Sequence, residues 1–214
     1  MKIAILIGSP EHPVWEFTQN YYSDQIRDGK VMVTNDLNRI DYSDLLFLVS
    51  YPKIIDLNIL MRFRKVFVLH ASDLPKGRGW SPHIWEIIDG AESITLTILE
   101  AAAGVDTGDI WGKVSVPIAK NLLFHEINSE IFKAELRLID YVFKNFDEIV
   151  PKAQSSELQP SYYRKREPGD SEIDISIPIK SQFDLIRVAD SARYPAFFII
   201  EGTKYNLYIE KDNE

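Results

Sequence analysis

A histidine closes the apolar run Val66-Phe67-Val68-Leu69-His70. Further on, Asp106 opens an Asp-Thr-Gly turn between two more apolar segments. In an α/β fold, strand ends and the tight turns after them are where side chains reach a ligand. A histidine titrates near neutrality, and a carboxylate beside it can fix its tautomer and stabilise its cation. The two residues therefore read as a base and its orienting acid. Asp109 competes for the second role, but the register of Val105-Asp106-Thr107-Gly108 favours Asp106. Between them, Lys76-Gly77-Arg78-Gly79 follows Pro75 as a turn whose glycines allow a backbone to come close. Ser9 and His12 lie in the loop after the first strand, where such folds often meet a phosphate or a sugar. His83 and His125 read as structural, and Trp80 and Trp85 as core or wall. No His, Asp and Glu cluster has metal-ligand spacing, so no metal is expected.

The elements that must position these residues follow from hydrophobic periodicity. Residues 2–7, 44–50 and 65–70 are short continuous apolar runs, the pattern of parallel strands buried on both faces. Residues 30–34 form a short β-branched run, and 94–99 and 110–118 read as further strands. Weak helical patterns cover 15–27 and 54–63, and a short helix over 82–89 is stopped by Gly90. Residues 121–146 carry Leu122, Ile127, Ile131, Leu138, Val142 and Phe146 at helical intervals, which predicts one long amphipathic helix. Strand, helix, strand in this rhythm argues for a parallel sheet with right-handed crossovers. Residues 151–160 read as a polar linker, 180–189 as a helix, and 196–200 and 205–210 as a hairpin around Glu-Gly-Thr-Lys.

The block His-Ala-Ser-Asp-Leu-Pro-Lys-Gly-Arg-Gly followed by Val-Asp-Thr-Gly-Asp resembles the folate-dependent formyltransferases, whose pattern is roughly N-x-H-x-S-x-L-P-x-x-R-G and a later x-D-x-G. Further segments match in order over about residues 40 to 200. Ser-Tyr-Pro-Lys-Ile-Ile at 50–55 resembles the loop that closes over the pterin. Tyr-Tyr-Arg-Lys-Arg-Glu-Pro-Gly-Asp-Ser-Glu-Ile-Asp resembles the segment after the catalytic domain, and Tyr-Pro-Ala-Phe-Phe the hairpin that follows. The resemblance implies a Rossmann-like α/β formyltransferase fold with a mostly parallel twisted sheet and a short C-terminal helix plus hairpin. It divides the chain into a catalytic domain over 1–150, a linker and site-adjacent segment over 151–177, and a small appendage over 178–214. It also implies His70 and Asp106 as catalytic residues and N10-formyltetrahydrofolate as co-substrate, without a metal. Tyr51, Ile54, Lys76, Gly77, Val105 and Thr107 would then contact the folate, and Ser9, His12, Arg78, Arg166 and Asp170 the acceptor. One departure stands out: the family's oxyanion-binding asparagine is Val68 here.

The chain has 214 residues, a formal net charge of −8 and no cysteine. The acidic balance disfavours a nucleic-acid-binding face. Without cysteine, thiolate nucleophiles, disulfides and cysteine metal sites are excluded. The N-terminal apolar run is too short for a membrane span and has no cleavage-site pattern, so a cytoplasmic protein is expected. Together with the absence of the barrel domain that tRNA-directed members carry, these features favour a nucleotide-linked amino-dideoxy sugar, on UDP or dTDP, as acceptor. The pathway would be one of surface polysaccharide or pseudaminic-acid-type glycan. A glycinamide ribonucleotide transformylase-like enzyme and a non-catalytic folate-binding protein remain as alternatives. The C-terminal hairpin offers an edge for a homodimer.

Overall fold

The computed structural model describes residues 1–41 and 43–212, with Leu57 described by its main chain alone. In chain order the elements are β1 (Ile3–Ile7), α1 (Val14–Tyr21), α2 (Ser23–Arg27), β2 (Val31–Thr34), β3 (Leu45–Val49), α3 (Leu57–Leu60), β4 (Lys65–His70), β5 (Arg78–Gly79), α4 (Pro82–Ile88), β6 (Ser93–Glu100), β7 (Ile110–Pro117), α5 (Phe124–Asn145), β8 (Tyr162–Tyr163), α6 (Phe183–Arg187), β9 (Ala196–Ile200) and β10 (Thr203–Leu207).

Six strands form one sheet in the order β2-β1-β3-β4-β6-β7. The first four run parallel; β6 pairs antiparallel with β4, and β7 antiparallel with β6, so that only β6 is reversed in this sheet. Every residue of β1 and β3 is buried, as their unbroken apolar runs require of strands covered on both faces. One face packs on α1, α4 and α5. The other carries a smaller cluster of Ala4, Leu6, Ile40, Leu46, Leu48, Phe63 and Val66. The chain runs from β1 to β2 on one side and reaches β3 on the other, so a switch point falls between β1 and β3. Open α/β sheets bind ligands beyond the carboxyl ends of strands at such a point.

α5 is the long amphipathic helix. It starts where the Glu126 carboxylate accepts the Leu123 N–H at 2.8 Å, and it buries Ile127, Ile131, Leu138, Ile139 and Val142. Four expected elements differ from the structure. The helix expected over 15–27 breaks at Tyr22, whose side chain turns inward and donates its hydroxyl to Asp140 at 2.9 Å. The pattern over 54–63 yields only the single turn of α3, with Ile54 left 77% exposed. The helix expected over 180–189 shortens to a 3-10 turn and α6, because Arg187 is buried and fastened to the carbonyls of Ala119 and Leu122. The hairpin turn is two residues, Glu201-Gly202, both at positive φ, so the second strand starts at Thr203.

Residues 151–177 are not a free linker. Lys152 pairs with Ile110, and β8 lies parallel to β5, with its residues Tyr162 and Tyr163 opposite Arg78 and Gly79. Gly79 has φ +96, and a β-carbon there would stand 2.4 Å from the Tyr163 carbonyl oxygen. Only glycine suits both the angle and the approach.

Candidate active site

A cavity of about 680 Å³ opens beyond the carboxyl ends of β1, β3 and β4, at the switch point. Its walls are the loops after β1 and β3, the end of β4, the turn after β6, the start of α4, one face of α5 and the segment around residues 165–194. Among the described residues, four non-glycine residues have positive φ, and Ser50, Ser81 and Asp106 of these line this cavity. Strained backbone concentrated at one cavity is the usual mark of a functional site.

His70, the last residue of β4, is buried at 7% exposure. Its Nε2 lies 2.8 Å from the Gly77 carbonyl oxygen. A carbonyl only accepts, so Nε2 carries a hydrogen and Nδ1 is the basic nitrogen. Nδ1 faces Asp106 Oδ2 at 3.6 Å. This is an ion-pair distance, beyond that of a direct hydrogen bond. The same Oδ2 accepts the Gly79 N–H at 2.9 Å.

Both partners are braced from the segment beyond residue 150. Ser161 accepts the Gly77 N–H at 2.8 Å, which fixes the carbonyl that orients His70. The Gln154 amide donates to the carbonyls of Asp106 (2.7 Å) and Gly108 (3.0 Å), and Arg78 donates to Gln154 Oε1 at 2.7 Å. A β-carbon at Gly108 would collide with the Glu100 carbonyl oxygen at 1.7 Å, so the turn can form only on glycine.

Of the sequence-derived candidates, His70, Asp106, Ser9, His12, Tyr51, Ile54, Val105, Thr107 and Arg166 line the cavity. Lys76, Gly77, Arg78 and Asp170 are not among its lining residues. Lys76 is exposed, Gly77 orients His70, Arg78 braces Gln154, and Asp170 accepts from Arg164 at 2.7 Å. Val68 lines the cavity two residues before His70, and its side chain has no donor.

Sequence reasoning missed Gln154, Ser161, Asn128 and Glu135. Gln154 lies in a stretch whose polar composition reads as a loop. Asn128 and Glu135 sit inside the apolar stripe of α5, where the helical pattern masks them. His83, taken as structural, also faces the cavity, and its Nδ1 is buried without a partner. Burial lowers the His83 pKa to about 4, with the nearby His70 and His12 adding to the effect. His12 is lowered to about 4 as well, by burial and then by Arg193. Its Nδ1 accepts the Val14 N–H at 3.2 Å, so its Nε2 carries the hydrogen. Among the described residues, no group of three or more His, Cys, Asp or Glu could hold a metal ion.

Residues 11–142, more than half of the chain, match the family described as formyl transferase. The chain belongs to the formyl transferase family. A methionyl-tRNA formyltransferase of Rickettsia bellii is 35% identical over 124 residues, which are 58% of this chain and 40% of the relative. The chain spans 40 to 65% of the length of the first three curated relatives it matches. Solved structures share the fold at lower identity. HypX from Aquifex aeolicus, in complex with tetrahydrofolic acid, superposes with a TM-score of 0.80 at 19% identity, covering 98% of this chain and 37% of that one. A sugar N-formyltransferase from a Shewanella species gives 0.70 at 16% identity, covering 99% and 98%. The fold of these structures extends over 98 to 99% of this chain, and the His70–Asp106 pair joins the carboxyl end of β4 to the turn after β6.

Proposed function

We propose that this formyl transferase moves a formyl group from N10-formyltetrahydrofolate to the amine of a nucleotide-linked amino-dideoxy sugar. The observation that carries the reading is the buried His70–Asp106 pair, with its one basic nitrogen facing a carboxylate, in the wall of a cavity of about 680 Å³. The folate would enter over Tyr51, Ile54, Val105 and Thr107, and the acceptor over Ser9, His12 and Arg166. Lys76, Gly77, Arg78 and Asp170 then act around the site rather than within it.

The acceptor amine attacks the formyl carbon, and a new C–N bond forms as the carbonyl oxygen takes up negative charge. His70 Nδ1 receives the proton that the amine loses, and Asp106 then faces the imidazolium. The C–N10 bond breaks, and the same proton passes to the leaving nitrogen of tetrahydrofolate. With valine at 68, the oxyanion relies on main-chain N–H groups near 106–108 and on the positive charge formed at His70. The sugar-directed reading draws support from the net charge of −8 and the fold shared with the Shewanella enzyme. Homodimer formation through β9 and β10 belongs to the same proposal, since Ile199, Ile200, Tyr205 and Tyr208 are exposed there. Light scattering at micromolar concentration tests it.

A second reading has an observation of its own. The first curated relatives are methionyl-tRNA formyltransferases, which makes a charged tRNA the competing acceptor. Incubation with N10-formyltetrahydrofolate and, separately, amino-sugar nucleotides, glycinamide ribonucleotide and methionyl-tRNA decides among them by which one gains a formyl group. If the folate binds and none of the three is formylated, the chain is the non-catalytic folate-binding protein instead.

A further inference from the structure

Gln154 lies outside the cavity, yet its amide is committed to the turn that carries Asp106. Its Nε2 donates to the Asp106 carbonyl at 2.7 Å and to the Gly108 carbonyl at 3.0 Å, while its Oε1 accepts from Arg78 at 2.7 Å. The reverse orientation would set an oxygen against two carbonyls and an N–H against the guanidinium. Arg78 therefore fixes which way the amide points. Arg78 is itself held: its side chain donates to the Tyr162 hydroxyl at 3.0 Å and its main chain to the Ser161 carbonyl at 2.9 Å. Lys152, two residues before Gln154, exchanges main-chain hydrogen bonds with Ile110 at 2.7 and 2.9 Å.

Asp106 needs such support. Its backbone lies at φ 53, in the left-handed region, where a non-glycine residue persists only if its surroundings fix it. The Gly79 N–H holds its carboxylate and Gln154 holds its carbonyl. Three consecutive residues thus serve the pair: Gly77 orients His70, Arg78 orients Gln154, and Gly79 holds Asp106. Asp106 Oδ2 stands 3.6 Å from His70 Nδ1, so a small displacement of the turn changes how strongly the carboxylate acts on the imidazolium. We propose that Gln154, oriented by Arg78, is a positioning residue for formyl transfer that holds the Asp106 carboxylate opposite His70. Because it does not line the cavity, it acts through that carboxylate and not on a substrate. The proposal rests on the formyl-transfer reading above, and it extends the catalytic unit past α5 into residues 152–163.

The test compares the wild type, Gln154→Leu, Asp106→Asn and the double variant in steady-state formylation of dTDP-4-amino-4,6-dideoxyglucose, varying acceptor and folate in turn. Gln154→Leu should lower kcat about ten- to a hundredfold, the scale of a misplaced catalytic group, with both KM values near wild type. Added to Asp106→Asn it should cost little more, since the carboxylate it positions is already gone. Amide hydrogen exchange supplies a readout that needs no substrate. The Gly79 N–H should exchange faster in Gln154→Leu as Asp106 loosens, while the Trp80 N–H, bonded to the Tyr163 carbonyl at 3.1 Å, keeps its protection. An unchanged kcat, a loss confined to KM, a full further loss on Asp106→Asn, or equal gains in exchange at Gly79 and Trp80 overturns the proposal. If Gln154→Leu does not fold, Gln154→Glu replaces it under the same criteria: ionised, it keeps the length and the bond from Arg78 but offers the two carbonyls no donor. A wild type that formylates no acceptor would sink the formyl-transfer reading alone. Unchanged exchange at Gly79 would sink the positioning role whatever the acceptor.

Discussion

His70 Nδ1 and Asp106 Oδ2 face each other across 3.6 Å, while that same carboxylate oxygen is tied to the Gly79 N–H and His70 Nε2 to the Gly77 carbonyl. One short loop, 77–79, therefore sets both the tautomer of the histidine and the position of the acid. The pair comes from strands that neighbour each other in the sheet, β4 and β6, and from the turn that leaves β6.

Asp106→Asn keeps the volume and removes the charge that faces the imidazolium. Formyl transfer should fall by about 10² or more, the usual worth of acid–base catalysis, with the melting temperature little changed. His70→Ala should cost as much, and the double variant little more than either, because the two act as one unit. Rates measured by product formation check all three.

Val68→Asn restores a side-chain donor two residues before the histidine, in a wall of the cavity. Activity should be unchanged or higher. A gain of about 10²-fold or more would match the worth of an oxyanion donor. A collapse of kcat with intact folding would give the valine a role of its own.

Gly79→Ala meets the Tyr163 carbonyl oxygen at 2.4 Å from a backbone at φ +96. The substitution should destabilise the fold by about 1–3 kcal/mol and shift the tether that holds Asp106. Urea unfolding measures the first effect and kcat the second.

Stability should depend on pH in two windows. His12 and His83 are lowered in the fold to about 4 from 6.5, so the unfolded chain binds more protons between those values and stability is lost as pH falls through that window. Glu135 is raised to about 8, and Glu86 to about 7, both by burial, from 4.5. Here the fold holds more protons, so stability is lost as pH rises toward 8. The two trends oppose each other below pH 6.5 and only the second acts above it. Thermal melting from pH 6.5 to 8 should show a decline that Glu135→Gln flattens.

The central sheet was legible because β1, β3 and β4 are unbroken apolar runs, a pattern that burial on both faces imposes whatever surrounds it. That His70 and Asp106 lie at the loop edge of the sheet was legible because a strand end and an Asp-x-Gly turn are local signals. The short helices were not. Tyr22 and Arg187 stop α1 and α6 through contacts with residues more than sixty positions away, which no local window contains. The supports of the pair were hidden for the same reason. Gln154 and Ser161 reach the site from a stretch whose composition says only that it is polar. Glu135 looked like an ordinary helix residue because a carboxylate in a helix is usually solvated.

The central claim is tested most directly by incubating the purified protein with N10-formyltetrahydrofolate and a panel of amino-dideoxy nucleotide sugars, then reading product masses, with His70→Ala as control. A sugar nucleotide that gains one formyl group with the wild type and not with the variant is the predicted result. Folate binding without transfer to any sugar, or transfer that survives His70→Ala, would contradict it.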